Sequence, residues 1–203
     1  MVVVDFGGGN LGSLTAALER RGASFAVSGD AAAVDAAEAA IVPGDGAFGA
    51  TMRELDARGL SAALLRLAAR DGVLLGICVG MQILYEAGDE HGEQRGLGLF
   101  PGRIGRFARA PRVPHMGWNK LEPVRAHPFT AGLDAHDYAY FLHSYRAPVD
   151  AVTLAACEHG ERFAAIAGRG NVVGTQFHPE KSQRTGAKLL DNFLALCATR
   201  KPA

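Results

Sequence analysis

A cysteine between two glycines at the end of an apolar run is the residue of this sequence best suited to covalent chemistry. Residues 73–82 are Val-Leu-Leu-Gly-Ile-Cys-Val-Gly-Met-Gln, so Cys78 stands in a Gly-x-Cys-x-Gly pattern between a predicted strand and a predicted helix. Flanking glycines permit the sharp strand-to-helix turn that holds a nucleophile out from a sheet. The positive end of the following helix would favour the thiolate. For this segment alone, the alternative is a cysteine packed as a small apolar side chain.

A histidine and a glutamate near the other end of the chain could activate that cysteine. A thiol of ordinary pKa is only a few per cent thiolate at neutral pH and needs a base. His178 and Glu180 lie in Thr-Gln-Phe-His-Pro-Glu-Lys (175–181), where Pro179 favours an extended backbone at the histidine. Alternate residues of an extended chain point to the same side. We therefore predict that Glu180 orients the imidazole while His178 faces Cys78; a surface histidine beside a turn proline is the alternative.

An acyl-transfer site must also stabilise an oxyanion, and two segments could supply the donors. One is the backbone N–H directly after the nucleophile. The other is the loop Pro-Gly-Asp-Gly (43–46), which follows a predicted strand. Such loops collect at the carboxyl-terminal edge of a parallel sheet, where Cys78 would also emerge; a plain strand-to-helix turn is the alternative. The predicted oxyanion groups are Val79, Gly44, Asp45 and Gly46.

Alternating short strands and helices in the first half of the chain predict the scaffold for these residues. Strands are predicted over 2–6, 24–27, 39–42 and 73–77, and helices over 11–21, 31–37, 52–56 and 60–70. This alternation implies an α/β fold with an open, mostly parallel sheet and helices on both faces, in three layers. With 203 residues, we expect 1–203 to form a single domain.

The second half of the chain changes character. Strands joined by short Gly-, Pro- or Asp-containing turns are predicted over 103–107, 138–143, 153–158, 163–167 and 172–177. We predict that these strands are antiparallel additions to the sheet. A closing helix is predicted over 186–196, because its apolar residues recur on one face.

The N-terminal glycines offer a competing function. Gly-Gly-Gly-Asn-Leu-Gly (7–12) matches Gly-x-Gly-x-x-Gly between a predicted strand and a predicted helix, and Asp30 lies where a ribose-binding acid would be sought. A dinucleotide-binding protein is therefore an alternative. Asp30 would serve equally well as the N-cap of the helix over 31–37. A tight glycine turn is the simpler interpretation.

Composition excludes several broad classes of protein. The chain has 21 basic and 21 acidic residues and a formal charge of zero, which does not indicate a nucleic-acid or membrane-surface protein. No apolar run reaches the roughly 20 residues that span a bilayer, and no signal peptide is visible. Three widely spaced cysteines suggest neither a disulfide framework nor a zinc site. We expect a soluble, cytoplasmic protein without a metal.

The catalytic segments converge on a known family. Gly-Ile-Cys-Val-Gly-Met-Gln (76–82) with His-Pro-Glu (178–180) resembles the triad-type, or class I, glutamine amidotransferases, whose fold is flavodoxin-like. Four further segments, in the expected order, resemble more narrowly the glutaminase subunits of imidazole glycerol phosphate synthase, of histidine biosynthesis. They are Asp-Phe-Gly-Gly-Gly-Asn-Leu (5–11), Pro-Gly-Asp-Gly-Ala-Phe-Gly (43–49), Pro-His-Met-Gly-Trp-Asn (114–119) and Tyr-Phe-Leu-His-Ser-Tyr (140–145).

The resemblance implies a reaction and its substrate. Cys78 would attack the side-chain amide of glutamine, and hydrolysis of the thioester would yield glutamate and ammonia without a cofactor. Gln82 lies one turn beyond Cys78 on the same helical face and would contact the substrate. Glu90 would hold the amino group of glutamine, and the backbone around Ser144 and Tyr145 would form another wall.

One position departs from the family pattern. The family usually carries an apolar residue, often Val, at the position of Asp45. A carboxylate near a developing oxyanion would oppose it electrostatically. We therefore expect Asp45 to point away from the site, or the loop to rearrange when a partner binds.

The resemblance also implies a partner, a (β/α)8-barrel cyclase subunit that receives the ammonia in a heterodimer. The isolated chain would then be a poor glutaminase that the partner stimulates. An amidotransferase subunit of another synthase, for pyridoxal phosphate, anthranilate or guanylate, is an alternative, as is an inactive scaffold. The residues expected at the interface are Asn10, His115, Met116, Trp118, Asn119 and Lys181.

Overall fold

Fourteen strands and six α-helices are present in the structure, a computed structural model that describes residues 1–8 and 11–199. The strands are β1 (Val2–Val4), β2 (Ala26–Ser28), β3 (Ala39–Val42), β4 (Val73–Ile77), β5 (Tyr85–Gly88), β6 (Gln94–Arg95), β7 (Phe100–Arg106), β8 (His115–Lys120), β9 (Glu122–Pro123), β10 (Tyr138–His143), β11 (Tyr145–Arg146), β12 (Thr153–Glu158), β13 (Arg162–Arg169) and β14 (Val172–Thr175). The helices are α1 (Leu11–Glu19), α2 (Ala31–Ala36), α3 (Phe48–Ala57), α4 (Leu60–Ala69), α5 (Val79–Gln82) and α6 (Gln183–Ala198).

The central sheet has eight strands in the order β2-β1-β3-β4-β14-β13-β12-β9. The first five strands are parallel, in the flavodoxin-like order, and the last three are antiparallel. The predicted α/β fold with a mostly parallel sheet is therefore confirmed. Val42 pairs with Gly76, and Ile77 pairs with Thr175, so β3, β4 and β14 end side by side. The segments that follow these three strands consequently meet at one edge of the sheet.

Alternate residues of the parallel strands enter two separate cores. Val3, Ile41 and Leu75 pack in the core that contains buried leucines of α1 and α6. Their neighbours Val4 and Leu74 belong to the core that contains buried residues of α2, α3 and α4. Helices thus cover both faces, which explains why these strands are continuously apolar rather than alternating.

The second half of the chain differs from the prediction in several strands. The strand predicted over 172–177 is β14, the fifth parallel strand, rather than an antiparallel addition. The strand predicted over 103–107 lies in a separate sheet of order β11-β7-β5-β6, and the one over 138–143 pairs with β8 in a two-stranded ribbon. The strand β8 was not predicted, because His-Met-Gly-Trp-Asn-Lys has few apolar residues. Strand pairing depends on residues distant in sequence, which local patterns do not report.

The helix α3, which lies next to the predicted site, also differs from its predicted bounds. The helix predicted over 52–56 begins four residues earlier, at Phe48. Its first turn therefore lies directly after the loop 43–46. None of the helices within residues 1–8 and 11–199 is long and apolar enough to cross a membrane.

Candidate active site

Cys78 occupies a strained turn between β4 and α5. Its backbone has φ 55° and ψ −112°, a conformation that a residue with a side chain rarely adopts and that costs about 1–3 kcal/mol. The helix that follows has only four residues, so it contributes one turn of aligned peptide dipoles. Cys78 is 8% exposed, and its Sγ lies 3.9 Å from the carbonyl oxygen of Leu142. The predicted strand–nucleophile–helix turn is present.

Two glycines allow the backbone around Cys78 to pack closely. A Cβ atom at Gly80 would overlap the carbonyl oxygen of Val42, at the end of β3. A Cβ atom at Gly44 would overlap the side chain of Val79. The loop 43–46 is therefore in direct contact with the residue after the nucleophile, which brings the two predicted sources of oxyanion donors together.

His178 and Glu180 form a buried pair immediately after β14. The imidazole Nδ1 is 2.8 Å from Oε1 of Glu180, and both side chains are at most 5% exposed. His178 has the extended backbone predicted from Pro179, with φ −94° and ψ 101°. The extended chain does not continue to Glu180, however, because Pro179–Lys181 forms a 3₁₀ turn. The predicted pairing is present, but a turn produces it rather than alternation along a strand.

The charged form of His178 is strongly favoured. Burial of the imidazole opposes its protonation, but hydrogen bonds and charge interactions with Cys78 and Glu180 outweigh that effect and raise its pKa to about 10. An imidazolium beside a thiolate is the ion pair expected when a base has taken the proton of a cysteine nucleophile. Because Nδ1 donates to Glu180, Nε2 is the nitrogen available for proton transfer.

Asp45 lies inside the site. Its Oδ1 is 3.6 Å from His178 Nε2, and its side chain is 47% exposed. The expectation that Asp45 points away from the site is therefore wrong, and only the alternative, a loop that rearranges with a partner, remains a prediction. The physical reason is the favourable interaction of a carboxylate with a protonated imidazole.

A cavity of about 280 Å³ opens beside these groups. The predicted catalytic residues Cys78 and His178 line it, together with the predicted oxyanion residues except Gly44. All four residues predicted to contact substrate also line the cavity, as does Lys181, which was expected at the partner interface. Those four are Gln82, Glu90, Ser144 and Tyr145.

Internal hydrogen bonds limit which atoms of Gln82 and Glu90 could face a ligand. Gln82 Nε2 donates to the carbonyl oxygen of Tyr145 and to Oε1 of Gln176, at 3.1 and 3.0 Å. Glu90 Oε2 accepts from the backbone N–H of Phe48 at 2.7 Å and so caps α3. One oxygen of each side chain, Oε1, is left for a ligand.

Two further residues of the site were not predicted from the sequence. Gln176 is fully buried, and its Nε2 is 3.8 Å from Cys78 Sγ. His143 lines the cavity and donates from Nδ1 to the Tyr145 carbonyl oxygen at 2.8 Å. The only sequence signal for Gln176 was a polar side chain in a run that otherwise predicts a buried strand.

The residues expected at an interface separate into two groups. Met116 and Trp118 are 62% and 49% exposed on the outward side of β8. The prediction that His115 contacts a partner is wrong, because His115 is 3% exposed and points inward to His143. Asn119 also turns inward, donating to the Glu158 carbonyl oxygen at 2.8 Å. This split follows from the alternation of side chains along a strand. Asn10 lies outside the described residues.

Met116 and Trp118 belong to a larger apolar surface on the ribbon of β8 and β10. Tyr138 and Leu142 are 49% and 40% exposed on the paired strand, opposite Lys120 and Met116. We call the surface formed by Met116, Trp118, Tyr138 and Leu142 the outer face of the ribbon. Because Leu142 also lines the cavity, this face adjoins Cys78 and His178.

The dinucleotide alternative finds no support at Asp30. Its carboxylate accepts from the backbone N–H of Ala32 at 2.9 Å, so it is the N-cap of α2. The N-cap interpretation of Asp30 is confirmed.

A strained cysteine and a buried His–Glu pair lie together at one edge of a mostly parallel α/β sheet. This arrangement is typical of a cysteine-dependent acyl-transfer site. The family model of class-I glutamine amidotransferases matches residues 2–197. The chain belongs to the class I glutamine amidotransferases, and the catalytic segments first compared with that family lie in one site.

Relatives of nearly equal length indicate a narrower group within this family. The chain is 48% identical over 198 residues to a protein of Xanthomonas oryzae pv. oryzae, with 97% of both chains covered. It is 45% identical over 195 residues to a protein of Symbiobacterium thermophilum, covering 95% of this chain and 92% of that one. Both relatives are named imidazole glycerol phosphate synthase subunit HisH.

Solved structures support the same fold. A crystal structure of a glutamine amidotransferase superposes with a TM-score of 0.77 at 22% identity, covering 98% of this chain and 99% of that chain. A structure of PurLQS from Thermotoga maritima superposes with a TM-score of 0.74 at 23% identity, with 96% of both chains covered. At this identity the likeness establishes the fold alone.

Proposed function

We propose that this chain is the glutaminase subunit of an imidazole glycerol phosphate synthase in histidine biosynthesis. The observation that carries the proposal is the single cavity that holds Cys78 and His178, with Glu180 behind the imidazole. Full-length relatives at 42–48% identity with this subunit name support the choice of synthase. Solved structures of other amidotransferases share only the fold.

The proposed reaction proceeds through a thioester. The Cys78 thiolate attacks the side-chain amide carbon of glutamine, forming a C–S bond and a tetrahedral oxyanion. His178 gives its Nε2 proton to the amide nitrogen, the C–N bond breaks, and ammonia leaves. His178 then removes a proton from water, whose oxygen attacks the thioester carbon, and glutamate leaves as the C–S bond breaks. Glu180 keeps the imidazole oriented and stabilises its charge.

Backbone and side-chain groups around the cavity would bind the substrate. We assign the oxyanion to the backbone N–H of Val79 and to the loop bearing Gly44, Asp45 and Gly46, because that loop touches Val79. The free Oε1 atoms of Gln82 and Glu90 suit the ammonium group and other N–H donors of glutamine. The wall around Ser144 and Tyr145 completes the pocket.

A (β/α)8-barrel cyclase subunit is the proposed partner in a heterodimer. The outer face of the ribbon is an apolar surface on a two-stranded sheet, and such exposed surfaces commonly mark protein interfaces. It adjoins the cavity through Leu142, so a docked partner would lie beside the source of ammonia. Lys181 lines the same cavity and would contribute from the other side. Asn10 is proposed as a further contact by resemblance.

The proposed reaction fits a reducing cytoplasm. Cys78, Cys157 and Cys197 are all free, which is usual where thiols are kept reduced. No cofactor enters any step of the proposed reaction.

The decisive experiment is a coupled assay with the cyclase. Glutamine hydrolysis by the chain alone is compared with hydrolysis in the presence of the cyclase and its nucleotide ligand. We expect slow hydrolysis alone, strong stimulation by the loaded cyclase, and rescue of a histidine auxotroph that lacks this subunit. Fast hydrolysis by the isolated chain, or failure to rescue, would contradict the proposal.

A further inference from the structure

The buried side chain of Gln176 contacts the sulfur of Cys78. Its side chain is fully buried and lies outside the cavity lining, while its Nε2 is 3.8 Å from Cys78 Sγ. It therefore contacts the reacting atom without facing the substrate. An amide N–H directed at sulfur favours the thiolate, because hydrogen bonds to a charged group stabilise it more than its neutral form.

The orientation of the Gln176 amide follows from its partners. A backbone carbonyl oxygen only accepts hydrogen bonds, so the atom of Gln82 beside the Tyr145 carbonyl must be its nitrogen. The second hydrogen of that nitrogen is donated to Gln176 Oε1, at 3.0 Å. Gln176 must then present its own nitrogen to Cys78. A flipped Gln82 would set two acceptors against each other in a buried site.

A second chain of hydrogen bonds holds the Tyr145 carbonyl from its other side. His143 Nδ1 donates to that carbonyl at 2.8 Å, which leaves His143 Nε2 as an acceptor at 3.0 Å from His115 Nδ1. Asn119 Nδ2 lies 3.2 Å from His115 Nε2 and donates to it. Burial lowers the pKa of His143 to about 3 and, with the nearby His159, that of His115 to about 4, so both rings are neutral near pH 7. The direction of every bond is thereby determined.

We propose that Gln176 is a thiolate-stabilising residue of the glutaminase site, directed at Cys78 by Gln82 and the Tyr145 carbonyl. The inference rests on the proposed function, because it concerns the same nucleophile. It adds a group to the site that the Cys–His–Glu arrangement alone does not require.

Alkylation of Cys78 by iodoacetamide across a pH range, with the full chain, tests this inference. The modified cysteine is identified by mass spectrometry, so glutamine and the cyclase are not needed. Gln176→Met retains the shape of the side chain and removes the donor. We expect the rate at pH 7 to fall about three- to tenfold and the midpoint of the pH–rate curve to rise. Gln176→Glu sets a carboxylate near the sulfur, and we expect a larger shift in the same direction.

A matched control separates this effect from lost stability. Asn192, on α6, also donates two amide hydrogen bonds, to the carbonyl oxygens of Phe129 and Ala131, and it is not part of the cavity lining. Asn192→Leu should lower the melting temperature without moving the alkylation midpoint. In the cyclase complex, Gln176→Met should lower kcat with little change in KM.

The outcomes distinguish the two proposals. If wild type hydrolyses glutamine with the cyclase, but both Gln176 variants keep its alkylation rate and midpoint, the inference about Gln176 is overturned. If Gln176→Met does not fold, Gln176→Leu removes the same donor without adding a charge and answers the same question. If wild type does not hydrolyse glutamine in the complex, the proposed function fails, while the alkylation shift still decides whether Gln176 stabilises the thiolate.

Discussion

The parallel core and the ribbon of β8 and β10 contribute to the site in opposite ways. Strands β3, β4 and β14 are covered by helices on both faces and position the reacting groups through closely packed backbone. The ribbon has only two strands, buries one side and exposes four large apolar side chains on the other. The rigid core holds the reacting groups at fixed positions, whereas the half-exposed ribbon is suited to contact a partner.

The histidines of these two regions are also perturbed in opposite directions. In the core, Cys78 and Glu180 outweigh burial and raise the pKa of His178 to about 10. In the ribbon, burial lowers the pKa of His143 to about 3 and that of His115 to about 4. The core histidine is therefore suited to carry a proton, and the ribbon histidines are suited to fix hydrogen-bond direction.

The largest expected effect concerns the core nucleophile. Cys78→Ala should reduce glutamine hydrolysis in the cyclase complex by at least about 10³-fold, because no other group in the cavity can form the thioester. Cys157→Ala, which removes a buried thiol on β12, is the control and should retain near wild-type activity. Substantial hydrolysis by Cys78→Ala would show that the nucleophile has been assigned wrongly.

The outer face of the ribbon should affect partner binding rather than stability. Trp118→Ala should raise the Kd for the cyclase about tenfold or more, since buried aromatic anchors dominate interfaces. The melting temperature of the isolated chain should hardly change, because the side chain is 49% exposed. Leu65→Ala removes another exposed apolar side chain, on α4, and should leave Kd unchanged. Equal effects of the two substitutions would argue against a specific interface at the ribbon.

The histidines of the two regions should affect the pH dependence of stability in opposite ways. His143 and His115 have folded-state pKa values below the unfolded value of about 6.5, so the unfolded chain binds more protons at acid pH. Their effect is to lower stability as the pH falls from about 6.5 through 4 towards 3. His178 has a raised folded-state pKa, so its contribution is complete below about pH 6.5 and is lost as pH rises towards 10.

Urea unfolding at several pH values measures these two slopes. A histidine that gains or loses one full proton on unfolding changes the free energy of unfolding by up to about 1.4 kcal/mol per pH unit. His143→Gln should flatten the acid side alone, and His178→Gln the alkaline side alone. An acid slope that persists in His143→Gln and disappears in His178→Gln would reverse the assignment.

The smallest expected effect concerns Asp45. Its carboxylate stands 3.6 Å from His178 Nε2 and near the predicted oxyanion, but it is half exposed and therefore screened. Asp45→Val should raise glutaminase activity of the isolated chain about threefold, with a smaller gain in the complex if the loop rearranges there. A rate within twofold of wild type in both states would show that the carboxylate does not act on the reaction.

Local patterns predicted β3 and β4 of the core well, but they predicted the direction of β14 wrongly and the ribbon poorly. Strands β3 and β4 have the predicted bounds, because strands buried on both faces are short, continuously apolar runs. Strand β8 was missed and β10 was assigned to the wrong sheet, because a polar, glycine-containing strand is defined by its partner. For the same reason His115 was expected at a surface, although the register turns it inward.

The sequence alone determined the chemical identities: a cysteine in a glycine-flanked turn, a histidine and glutamate two residues apart, and a glycine-bearing loop after a strand. These follow from local backbone requirements and from the resemblance to one family. Only the tertiary structure decided the directions and distances between them. It directed the Asp45 carboxylate at His178, the Gln176 amide at Cys78 and the His115 ring into the protein, because burial and hydrogen-bond geometry depend on residues far apart in the chain.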